Sequence, residues 1–107
     1  MQSEVTMVRI YIKEADHGKH GNLMREIVRL LHDQHRVAGI TVFRGIAGFG
    51  ASGEVHSADI LRLNVDLPLV IEFFDEPNVV DAALKLIRDM VPGEHIVRWP
   101  ATRSIGG

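Results

Sequence analysis

A chain of 107 residues that is 46% hydrophobic and 24% charged has the size and composition of one packed domain, and residues 1–107 read as a single unit. Twelve basic residues against fourteen acidic ones give a formal net charge of -2 with no run of lysine or arginine, which argues against nucleic acid as a partner. The absence of cysteine excludes disulfides, thiolate catalysis and cysteine zinc sites, and no apolar run approaches the ~20 residues of a membrane helix. The opening MQSEVTMVRIYIK has no basic region followed by an apolar stretch and a small-residue cleavage site, so the cytoplasm is the expected location.

From Val8 to Lys13 the residues alternate, with Val8, Ile10 and Ile12 on one face and Arg9, Tyr11 and Lys13 on the other, the pattern of a half-buried strand. The polar loop EADHGKHG follows. Asn22 is placed to cap a helix whose stripe is Leu23, Ile27, Leu30, Leu31 and Gln34, apolar as far as Leu31. The run ITVFRGI is rich in β-branched residues and predicts a second strand that leads straight into a glycine-rich segment. Leu67 to Phe74 is a further strand. Asp75, Glu76 and Pro77 open a second helix, expected to carry acidic residues and proline in its first turn, with Val80, Ala83, Leu84, Ile87 and Met90 buried. Pro92-Gly93 stops that helix, and a short strand from His95 to Trp99 ends at Pro100. Within residues 54 to 66, Ile60, Leu61 and Leu63 fit either an extension of the third strand or a turn of helix.

The order strand, helix, strand, strand, helix, strand predicts an α+β fold of the ferredoxin-like βαββαβ type: a four-stranded antiparallel sheet with both helices on one face. The other face would carry Phe43, Val70, Phe74 and either Ile96 or Trp99. A monomer would leave these wet, so a homo-oligomer that packs its sheets together is expected.

The glycine segment reads RGIAGFGASGEVHS from Arg44, and its core GFGASG satisfies the Gly-x-Gly-x-x-Gly pattern of dinucleotide-binding turns. Such a turn needs a helix immediately after it, so that the helix N-terminus meets the pyrophosphate. Here EVHSADILRLN and another strand follow, and Glu72, at about the distance of the usual acidic residue, falls inside that strand. The dinucleotide reading fails on context. Glycines 45, 48, 50 and 53 permit positive φ or close approach of a ligand, and exposed N–H groups can form an anion nest. A flexible loop or a bulged hairpin accounts for the same glycines.

The run TVFRGIAGFGASGEVHSADILRLNVDLPLVIE resembles the signature of a small family of PII-like proteins, and the likeness extends from about Val8 to Trp99. It implies a trimer of ferredoxin-like subunits with a long loop between the second and third strands, equivalent to the T-loop of PII signal proteins. PII proteins carry Gly-Phe-Gly at the start of that loop beside an adenine nucleotide held between subunits. The resemblance therefore implicates Gly48, Phe49 and Gly50, with Ser52 and Gly53 beyond them, and an adenine nucleotide as the small anionic ligand. It further implies a regulatory role, with the 48–58 loop engaging a partner such as a membrane transporter. In PII the next glycine follows after three residues and here after two, and MVPGEH stands where PII has a glycine- and lysine-rich phosphate loop.

Arg44, Arg62, Arg98 and Arg103 offer cations to a phosphate or form surface ion pairs; Arg44 and Arg98 join the candidate site. The histidine pairs supply a second reading, a metal-binding protein of the copper-tolerance type. His17 and His20 sit beside Glu14 and Asp16 in a loop, while His32 and His35 share a helix face, where they bind a metal or meet the negative end of the helix dipole. A third reading is a small ferredoxin-like oxygenase or isomerase, which requires a deep pocket between sheet and helices. Ser52, His56 and Ser57 lack the surroundings of a nucleophilic serine, so no enzyme activity is expected.

Overall fold

The computed structural model describes residues 1–34, 37–49, 56–57 and 66–106, with the backbone alone for Gln34, His56 and Ser57. The elements are β1 (Gln2–Lys13), α1 (Leu23–Gln34), β2 (Gly39–Arg44), β3 (Pro68–Asp75), α2 (Pro77–Ile87) and β4 (Ile96–Ser104). The sheet order is β2-β3-β1-β4, antiparallel throughout, as the ferredoxin-like reading requires. Most of residues 54 to 66, including Ile60, Leu61 and Leu63, lies outside the described residues.

The alternation in β1 behaves as the sequence reading expects, since Val8, Ile10 and Ile12 are buried against the helices. Leu69, Ile71 and Phe73 of β3 join them, because the register sets Ile12 beside Leu69, Ile10 beside Ile71 and Val8 beside Phe73. From α1 come Leu23, Ile27 and Leu31, and from α2 Val80, Ala83, Leu84 and Ile87. Each of these side chains larger than alanine stabilises the fold by about 1.5–3 kcal/mol on removal from water. Met90 packs at the margin, beyond the end of α2.

Local chemistry sets the helix ends. The Asn22 side chain accepts the Arg25 N–H at 3.1 Å, capping α1. Pro77 stands in the first turn of α2, but no acidic residue does: Asp75 and Glu76 precede the helix. Asp75 instead accepts the N–H groups of Glu76 and Ala38, each at 2.7 Å, and so ties the start of α2 to the approach to β2.

Two strands run further than their patterns indicate. β1 begins at Gln2, and residues 2–5 pair only with 101–104 of β4. β4 continues through Pro100, which lies opposite Thr6, to Ser104. Proline is tolerated there because β4 is an edge strand. Among the described residues no helix is long and apolar enough to cross a membrane.

Candidate functional site

The ends of β1 and β2, the start of β3 and the glycine segment meet at one end of the sheet. The Gly45 N–H donates to the Pro68 carbonyl at 2.8 Å, and a β-carbon at Gly45 would stand only 2.8 Å from Pro68 Cγ. At Gly48 the corresponding distance is 3.3 Å. Among the described residues positive φ occurs at Gly21 (126°) and Gly106 (89°), so Gly45 and Gly48 are needed for close packing on Pro68 rather than for left-handed backbone. Ala47–Gly48 then pairs with His56–Ser57 as a short antiparallel ribbon. Ile46 and Phe49 project into solvent, 79% and 74% exposed. Gly50, Ser52 and Gly53 lie outside the described residues.

The two arginines of the candidate site are already paired, and far apart in the chain. Arg44 forms an ion pair with Glu14, and Arg98 donates to Asp81 of α2 at 2.6 Å. Arg44 ends β2 and Arg98 lies on β4, the two opposite edges of the sheet. One copy of the chain therefore does not bring them together. Arg62 lies outside the described residues, while the Arg103 guanidinium sits 5.5 Å from the centre of the Phe74 ring.

The sheet face turned away from the helices carries Phe43, Val70, Tyr11, Val97, Met7, Phe74 and Trp99, as the strand registers dictate. Ile96 pairs with Ile10 and so faces the helices, which settles the choice between Ile96 and Trp99 in favour of Trp99. At the centre of this face Arg9 donates to Glu72 at 2.7 Å, with its guanidinium 5.6 Å from the centre of the Trp99 ring. The hydrogen bond to Glu72, and then that to Tyr11, pushes Arg9 above its ordinary pKa. Glu72 thus has a cross-strand partner. Its signal in the sequence was a single carboxylate inside the apolar run LVIEFF, opposite a strand whose wet face begins with Arg9.

The histidines are dispersed. His17 lies opposite Asn22 in a two-residue ribbon, and His20 contributes its backbone N–H to Glu26 at 2.6 Å. His32 Nδ1 lies 2.9 Å from Asp33, and His95 Nδ1 3.0 Å from the Tyr11 carbonyl. His35 lies outside the described residues, and among the described residues no cluster of three His, Asp or Glu could hold a metal. Between the helices and the sheet the described residues pack into the core, and beside the end of α1 an open groove is lined by Leu31, His32, Asp33, Val37 and Ile40.

Taken together, the strand order and the glycine segment between β2 and β3 define a domain of the ferredoxin-like plan found in PII-like proteins. Residues 5–103 match the family DUF190, described as Uncharacterized ACR, and the chain belongs to it. It is 30% identical over 91 residues to a UPF0166 protein of Methanocaldococcus jannaschii, covering 85% of this chain and 82% of that protein. The structure of CPII from Thiomonas intermedia K12, bound to ADP and bicarbonate, matches with a TM-score of 0.67 at 16% identity, covering 100% of this chain and 93% of that one. The divalent ion tolerance protein CutA1 of Ehrlichia chaffeensis matches with a TM-score of 0.56 at 12% identity, covering 96% and 84%. At these identities the two structures establish the fold.

Proposed function

We propose that this chain is a PII-like regulatory protein. It assembles as a homotrimer in the cytoplasm and takes an adenine nucleotide in the clefts between subunits. Each cleft is edged by Gly48, Phe49, Gly50, Ser52 and Gly53 with Arg44 of one copy, and by Arg98 of the next. Occupancy reorders the 48–58 loop, which then engages or releases a partner such as a membrane transporter. The observation that carries this reading is the full-length likeness to CPII, whose structure holds ADP and bicarbonate, in a chain whose Phe49 stands exposed where the glycine segment leaves the sheet. The separation of Arg44 and Arg98 on opposite sheet edges supports a cleft built from two copies, and the apolar uncovered sheet face supports self-association.

Thermal unfolding against ATP, ADP, AMP, cyclic dinucleotides, bicarbonate and divalent metals tests the reading. A ligand at a hundred times its dissociation constant stabilises by about 2.7 kcal/mol, a shift of several degrees. Gly50→Val should abolish the nucleotide shift and leave the oligomer intact; an unchanged shift removes the glycine segment from the site.

The likeness to CutA1 supports a second reading, a metal-binding protein of the copper-tolerance type. Elemental analysis of untagged protein decides it. Stoichiometric zinc or copper that disappears on replacing His17 and His20 would favour that reading over the nucleotide.

A further inference from the structure

Glu14 and Arg44 face each other across the start of β3, and the two partners are held very differently. The Glu14 backbone is fixed on both sides: its N–H donates to the Leu67 carbonyl at 2.9 Å, and its own carbonyl accepts the Asn22 side chain at 3.1 Å. The neighbouring Ala15 N–H is bound to Asp66 at 2.8 Å. Arg44 is the last residue of β2, its backbone anchored through Gly45, yet its side chain is 67% exposed against 26% for Glu14. The carboxylate stays put and the guanidinium can swing.

Glu14 is also the dependent partner. Among the described residues no donor is hydrogen-bonded to its buried Oε1, so the contact with Arg44 is an ion pair, and it supplies the compensation for that oxygen. A ligand anion that draws Arg44 away must outmatch Glu14. A singly charged carboxylate or bicarbonate offers no more than Glu14 already gives. A terminal phosphate, with a charge of about -1.5 to -2 and oxygens for bidentate contact, offers more.

We infer that Glu14 is a specificity-determining residue, an internal competitor that reserves Arg44 for phosphate-bearing ligands and ties the base of the glycine segment to the turn after β1 until such a ligand arrives. This rests on the nucleotide reading above. The exchange is one side chain moving between two anions, so ligand affinity and the hold on the loop base are coupled by the same contact.

The test is calorimetric titration of the intact protein with ADP, and with adenosine as an uncharged control, in wild type, Glu14→Gln, Arg44→Gln and the double variant. Glu14→Gln is expected to tighten ADP binding by about tenfold, the scale of one charge-assisted hydrogen bond, and to leave adenosine unchanged. In the Arg44→Gln background the gain disappears. A merely structural role would move ADP and adenosine together, or persist without Arg44, and either result overturns the inference. Should Glu14→Gln melt early, Glu14→Asp retracts the carboxylate while keeping a charge at the turn, and should give a smaller gain of the same sign. Chymotrypsin cleavage after the exposed Phe49, measured without ligand, separates the two levels of the argument. Faster cleavage in both single variants upholds the hold on the loop base even where wild type binds no ADP, a result that removes the nucleotide reading and the competition with it. Equal cleavage in all four proteins overturns the hold itself.

Discussion

Replacing Gly45 by alanine asks whether the first glycine of the segment serves the fold or a ligand. The added methyl group would stand 2.8 Å from Pro68 Cγ, where ordinary contact begins at 3.4 Å, so about 0.6 Å must be found. Neither side yields easily. The Gly45 N–H is held on the Pro68 carbonyl at 2.8 Å, and the proline ring is fixed to the first residue of β3. Overpacking of this kind costs about 1–3 kcal/mol. At about 4–8 °C per kcal/mol for a domain near this size, the melting temperature by circular dichroism should fall by about 4–24 °C. Gly93→Ala is the matched control: nothing lies within 4 Å of the added carbon, and reduced freedom of the unfolded chain should leave stability unchanged or up to about 1 kcal/mol higher. Equal melting of Gly45→Ala and wild type would refute the packing argument and return Gly45 to the candidates for ligand contact.

Trp99→Glu places a charge on the uncovered sheet face next to Arg9 and opposite Met7, and light scattering should show the proposed oligomer dissociating into folded monomer; an unchanged mass would move the interface elsewhere. Asn22→Ala removes the side-chain acceptor of the Arg25 N–H and should cost about 1 kcal/mol in denaturant unfolding, whereas a loss below a few tenths would mean that water serves that donor equally well.

The helices and the inner sheet face were legible because burial there follows period: every second residue of β1 and β3, every third or fourth of α1 and α2. The ends of β1 and β4 were not. Gln2 to Val5 pair with one neighbour only, so no alternating apolar face is demanded of them, and Pro100 is a breaker only where both sides of a strand are occupied. The position of the glycine segment between β2 and β3 was readable from the strand pattern. The reason for two of its glycines was not, because Pro68 is remote in sequence and reaches them only through the register of β2 on β3. The partners of Arg44 and Arg98 were hidden for the same reason: Glu14 and Asp81 become neighbours through tertiary packing alone. Arg9 and Glu72 lay closer to hand, since strand alternation and one carboxylate in an apolar run mark both, yet their pairing needed the register of β1 on β3.

The central position of β1 has a consequence in time. β1 emerges from the ribosome first, but its partner on one side is β3 and on the other β4, which is made last. At synthesis rates of roughly 5–20 residues per second, Val8, Ile10 and Ile12 wait roughly 4–17 s between the appearance of Lys13 and that of Ile96. During that interval the nascent chain can assemble both helices and a three-stranded sheet in which β1 is still an unguarded edge. The protein is thus most exposed to misassociation while it is being born, and a slow codon or a bound chaperone before Ile96 would act on that window rather than on the finished fold.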